Sequence, residues 1–123
     1  MYQIERIKQK LGRGEIVLGA NSVFADSAIS ELFALAGYDF VWIDAEHSAL
    51  DYKDIQQHIV SAQGAGACAF VRIMWNDQAI VKRVMDMGPD GVIFPLIHSV
   101  EEARAAVSAC RYPPKGIRGW NPI

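Results

Sequence analysis

Apolar residues recur along the chain in two alternating rhythms. Ile4, Ile7 and Leu11 fall at helical spacing in residues 3–11, and Gly12 with Gly14 follows as a stop signal, which predicts a short leading helix. Residues 16–18 form a brief apolar run ending in Gly19-Ala20-Asn21-Ser22, read as a first strand and its exit. In residues 26–36, Ile29, Leu32, Phe33 and Ala36 share one helical face until Gly37 closes it. Phe40-Val41-Trp42-Ile43 is apolar on both faces, as a strand covered on both sides must be, and it breaks abruptly into Asp44-Ala45-Glu46-His47-Ser48. Asp51 with Asp54 then nearly matches a capping box before a helix to about residue 63, closed by Gly64 and Gly66, and residues 67–71 form a third strand ending in Arg72. Asn76 or Asp77 caps a helix to about residue 87. Gly88-Pro89-Asp90-Gly91 turns the chain into a strand over 92–97, and Ser99 with Glu102 opens a last helix to about residue 111. His58 falls inside the 51–63 helix, on the side assigned to solvent.

Strand starts near positions 16, 40, 67 and 91 alternate with helices, which specifies an α/β chain with a parallel sheet and right-handed crossovers. Two architectures compete. An open doubly wound sheet suits a length of 123 residues, whereas a (β/α)8 barrel needs ~200 or more. In both, ligands bind at the carboxyl ends of the strands, so the first site candidates are Asn21, Ser22, Asp44, Glu46, His47, Arg72 and His98. An open sheet of the phosphorelay receiver type needs an acidic pair after the first strand and an aspartate after the third. Ala20-Asn21 and Arg72 stand in those places, which disfavours it.

Composition narrows the function classes. With 12 basic and 14 acidic side chains the net charge is −2, so no whole-chain positive field exists to collect nucleic acid or anionic lipid. Hydrophobic residues make up 51% of the chain, enough to bury a core, yet no apolar run approaches the ~18 residues of a membrane span. Residues 1–13 lack the apolar block of a signal peptide, so a cytoplasmic location is expected. Cys68 and Cys110 fall in a strand-like and a helix-like run. They cannot build a disulfide framework or a zinc site and read as buried thiols.

The strand-end residues make the sequence resemble the HpcH/HpaI family of class II, divalent-metal-dependent pyruvate aldolases. The resemblance rests on Phe40-Val41-Trp42-Ile43-Asp44-Ala45-Glu46-His47-Ser48, on Val71-Arg72, on Val81-Lys82-Arg83-Val84-Met85-Asp86-Met87-Gly88, and on Tyr112-Pro113-Pro114-Lys115-Gly116-Ile117-Arg118-Gly119, in the family's order and spacing. It covers almost the whole chain but only the first half of the family's barrel. Residues 1–123 therefore read as the N-terminal half of a TIM barrel, about four β/α units behind a leading helix.

The resemblance implies a carbon–carbon lyase that cleaves 4-hydroxy-2-oxo acids to pyruvate or a related 2-oxo acid plus an aldehyde. It also implies a divalent metal, Mg, Mn or Co, that acts as a Lewis acid. His47 matches the catalytic base, which works through a metal-bound water, and Arg72 matches the arginine that binds the substrate's keto-acid oxygens and stabilises charge. Asp86 matches the aspartate that raises the basicity of that histidine. It lies near a helix end, opposite the strand-end edge, so it is expected to reach the histidine of a neighbouring subunit in a homo-oligomer. Asp44 is a second possible partner of His47 or a cap for nearby amides, and Glu46 is a supporting group or surface charge. The 116–120 loop matches one beside the family's active site, or is simply a glycine-framed turn with an exposed arginine. Lys53, Lys82 and Lys115 fall on helices or loops, which agrees with a metal route rather than an imine route. The family's metal ligands come from the second half of the barrel, so no metal ligand is assigned in this chain, and alone it is expected to be inactive. The competing reading is a non-catalytic half-barrel assembly module that oligomerises through its open sheet edges.

Overall fold

The computed structural model describes residues 3–120. Its elements run α1 (Gln3–Gly12), β1 (Gly19–Ser22), α2 (Ala28–Leu35), β2 (Phe40–Asp44), α3 (Tyr52–Gly64), β3 (Cys68–Arg72), α4 (Gln78–Asp86), β4 (Gly91–Ile93) and α5 (Val100–Cys110). The strands form one sheet in the order β1-β2-β3-β4, every pair parallel, as the alternation of strand and helix requires. Among the described residues no helix is long and apolar enough to cross a membrane.

Alternation along the strands sorts their side chains between two faces. Val41, Ile43, Ala69 and Val71 are fully buried, in one cluster with Ile55, Ile59 and Ala62 of α3 and Val81 and Val84 of α4. Each such Val or Ile contributes ~1.5–3 kcal/mol by leaving water. The opposite face carries Phe40, Trp42 and Asp44 beside Cys68, Phe70 and Arg72, with the Phe40 and Phe70 rings 5.1 Å apart. Helix starts follow the predicted chemistry. Asp51 and Asp54 form a complete capping box on α3, Asp77 rather than Asn76 caps α4, and the Ser99 hydroxyl accepts from the Glu102 amide.

Several expectations are corrected. The first strand is not 16–18 but the segment read as its exit. Ile16 and Leu18 are exposed, whereas Gly19-Ala20-Asn21-Ser22 pairs with residues 40–43, burying Ala20 and Ser22. A Cβ at position 19 would lie 2.0 Å from the Phe40 ring, so any larger residue there would have to displace that ring. The fourth strand ends at Ile93, not at 97, because Pro95 lacks an amide and Leu96 turns left-handed at φ 52°. Helix α2 starts at Ala28, after Asp26 has accepted the Ala28 amide from outside the helix. Cys110 is only partly buried, while burial pushes the Cys68 thiol up to about 12. His58 is fully buried, not solvent-facing, because α2 packs over that side of α3.

Candidate active site

The parallel register sets Asp44 at the end of β2 directly beside Arg72 at the end of β3, so the two side chains emerge together on one face at the carboxyl edge. Arg72 Nε donates to Asp44 Oδ1 at 3.0 Å and Arg72 Nη2 donates to Asp44 Oδ2, a bidentate pair. Asp44 Oδ1 also accepts the amides of Glu46 and His47, both at 3.1 Å, and the Asp44 carbonyl accepts from the Ser48 hydroxyl. The 44–48 turn thus winds around its own aspartate, which fixes the next residues of the site. Burial opposes the Asp44 charge, but the Arg72 hydrogen bonds and the two amides outweigh it and hold this carboxyl below the usual carboxylate range. The bond to Asp44 in turn raises the Arg72 guanidinium above its usual value. The guanidinium lies over the Trp42 ring, 5.4 Å from its centroid.

Glu46 joins this pair to His47. The same oxygen, Oε2, lies 3.2 Å from Arg72 Nη1 and 3.6 Å from His47 Nε2. The Glu46 side chain is 14% exposed and that of His47 is 68% exposed, so the cluster runs from a buried carboxylate through a half-buried guanidinium to an open imidazole. The Arg72 side chain, though held by two carboxylates, is partly exposed, so an anion that displaces Glu46 from Nη1 can be held there, and the nearby imidazole can exchange protons with it. Among the described residues no three His, Cys, Asp or Glu are grouped to hold a metal ion.

Of the residues singled out in the sequence, Asp44, Glu46, His47 and Arg72 come together and Asp86 does not. Asp86 ends α4, which runs from the carboxyl edge back to the start of β4, so it stands at the amino edge of the sheet, with Arg118 Nη2 at 3.6 Å from its Oδ1. Arg118 also donates to the Met85 carbonyl at 3.0 Å and stacks on Tyr112. The 116–120 loop therefore belongs to that opposite edge within this chain, and its arginine is largely covered rather than exposed. Asp44 accepts the His47 amide but its carboxylate is occupied by Arg72, so the ring partner within the chain is Glu46. His98 is exposed, and its amide donates to Glu102. Lys53, Lys82 and Lys115 are exposed on α3, on α4 and in a loop. Sequence reasoning missed Trp42 as the support beneath Arg72. Its position two residues before Asp44, on the same strand face, was the available signal.

The HpcH/HpaI aldolase/citrate lyase family model matches residues 21–122. The hydroxypyruvate/pyruvate aldolase of Roseovarius nubinhibens is 38% identical over 112 residues, which cover 91% of this chain and 44% of that protein. The 2-dehydro-3,6-dideoxy-6-sulfogluconate aldolase of Pseudomonas putida is 36% identical over 110 residues, 89% of this chain and 43% of its own length. The crystal structure of an HpcH/HpaI aldolase from Desulfitobacterium hafniense superposes with a TM-score of 0.83 at 34% identity, over 94% of this chain and 45% of that one. The chain thus spans less than half the length of these relatives.

Proposed function

The chain belongs to the HpcH/HpaI aldolase/citrate lyase family, whose members fold as (β/α)8 barrels, and from that premise we propose that its carboxyl edge is the base-and-anion half of an aldolase site. The observation that carries this reading is the single Glu46 oxygen lying against both Arg72 and His47. The substrate is a 4-hydroxy-2-oxo acid. Arg72 holds its keto-acid oxygens, taking the ligand in place of Glu46 at Nη1. His47 removes the proton of the 4-hydroxyl, the C3–C4 bond breaks to release an aldehyde, and the bonding pair moves into the 2-oxo acid fragment as an enolate. Arg72 stabilises the charge gathering on that enolate oxygen, and protonation at C3 yields pyruvate or a related 2-oxo acid.

The divalent cation implied by the resemblance, Mg, Mn or Co, does not fit these residues. Asp44 and Glu46 direct their oxygens at Arg72, and the described residues hold no group of three ligating side chains. In this reading the cation's ligands belong to the half of the family fold outside residues 1–123, and these residues alone release no pyruvate. Asp86, on the opposite edge, serves the His47 of a neighbouring copy, which makes a homo-oligomer part of the site.

Pyruvate release from a 4-hydroxy-2-oxo acid with added manganese tests the proposal. Residues 1–123 are expected to be silent alone and active once joined to the second half of a relative's barrel. A folded, joined protein without activity would overturn the aldolase reading in favour of a non-catalytic half-barrel module. Activity from a monomer would remove the role given to Asp86.

A further inference from the structure

His58 is a buried titratable group that the proposed reaction does not use. It lies in the middle of α3 with no exposed surface, and it makes two hydrogen bonds to other elements. Its Nε2 is 2.8 Å from the carbonyl oxygen of Phe24, and its Nδ1 is 2.6 Å from the hydroxyl of Ser30 in α2. A carbonyl can only accept, so the Nε2 atom carries the proton and donates to Phe24, and the Nδ1 lone pair accepts from Ser30. Both partners are then satisfied, and one side chain ties α3 to α2 and to the loop between β1 and α2.

That loop leaves the sheet at Ser22, the residue paired with Ile43, so it rises from the same carboxyl edge as the 44–48 turn, one strand away. Its Val23 and Phe24 side chains are exposed, and its other hydrogen bonds are local ones at its far end, where the Asp26 carboxylate accepts the Ala28 amide and the Asp26 and Ser27 carbonyls accept the Ile29 and Ser30 amides, so among the described residues the bond to His58 is the one that reaches the loop from α3. We propose that His58 is a positioning residue for the active edge, a strut that fixes the 23–27 loop beside the mouth of the site so that Phe24 borders the bound substrate. Its consequence for catalysis rests on the aldolase reading, but the strut itself does not.

Nuclear magnetic resonance of the 123-residue chain separates the two. In the unaltered protein the His58 ring is expected as the Nε2–H tautomer with a slowly exchanging ring proton, and the backbone order parameters of residues 24–26 are expected near the ~0.85 of rigid structure. His58→Leu, which keeps an apolar body of similar reach, should drop those order parameters below about 0.6 while leaving β2 and β3 unchanged, and His58→Gln, which can still donate and accept, should restore them. An Nδ1–H tautomer in the unaltered protein overturns the strut whether or not the Leu variant folds. Unchanged order parameters in a folded Leu variant overturn it too. In the joined barrel, His58→Leu should raise the KM of the cleaved substrate more than it lowers kcat, with the pH profile of kcat unmoved. If the joined barrel is inactive while the loop responds, the aldolase reading fails and the strut stands.

Discussion

His47 and His58 stand eleven residues apart in one sequence and occupy regions with opposite physical demands. His47 projects from the carboxyl edge, more than two-thirds exposed, with one carboxylate oxygen near its ring. His58 lies between α2 and α3 with both ring nitrogens committed. An exposed ring keeps its lone pair and its proton available to whatever arrives. A buried ring must satisfy every polar atom on the spot, and so becomes a fastener. The side chain is the same in both places, and burial separates the ring proposed as a reagent from the one proposed as a strut. The same contrast runs through the carboxylates. Asp44 is buried and anchored on Arg72, while Glu46, two residues on, keeps partial access and lies against both Arg72 and His47.

Removing the buried member of each pair should do the most damage. Asp44→Ala strips Arg72 of its bidentate partner and leaves the Glu46 and His47 amides uncapped, so denaturant unfolding should show a loss of about 3 kcal/mol. His58→Leu leaves the Phe24 carbonyl and the Ser30 hydroxyl without their partner and should cost about 2 kcal/mol by the same measurement, less in His58→Gln. Equal losses from His47→Gln and His58→Leu would break the contrast, because the exposed ring is expected to stay within about 0.5 kcal/mol of the unaltered chain.

Acid titration sharpens the distinction between anchor and exchanger. With its carboxyl held low in the folded state, Asp44 contributes stability that is complete above the ~4 of an unfolded aspartate and is lost as pH falls through the lower folded value. Asp44→Asn should flatten that acid limb in a melting series. At the other extreme, the Cys68 thiol ionises first in the unfolded chain, so its contribution is complete below about 9 and declines toward 12. Cys68→Ala should soften the alkaline decline. The smallest expected effect is at Trp42. Trp42→Phe keeps an aromatic face under Arg72 and should cost the ion–ring contact no more than about 0.5 kcal/mol, which a double-mutant cycle with Arg72→Leu would read out.

The sequence made some of this legible and hid the rest for identifiable reasons. The parallel alternation of strands and helices, the capping residues Asp51 and Ser99, and the placing of Asp44 and Arg72 at one carboxyl edge followed from patterns local to one element or from parallel register, where a strand-end residue meets its counterpart on the next strand. The first strand was misplaced because Gly19-Ala20-Asn21-Ser22 has no apolar signature. It is a strand through what Phe40 and the layer beneath α2 require of it, which only the packed neighbour reveals. His58 was misread because its polarity suggested water, while its true partners lie 28 and 34 residues upstream on other elements. Glu46 was undervalued because its importance rests on one oxygen meeting two side chains, a relation that spacing does not show.

In the proposed function Arg72, Glu46 and His47 act together on a small 2-oxo acid. Titrating the isotope-labelled chain with oxalate, an inert mimic of the pyruvate enolate, tests it most directly. The Arg72 guanidinium and His47 ring signals are expected to move together as Glu46 gives up its place on Nη1, the His58 ring signals to stay still, and Arg72→Leu to abolish the response. Oxalate that moves neither Arg72 nor His47, or moves them equally in the Arg72→Leu chain, would contradict it.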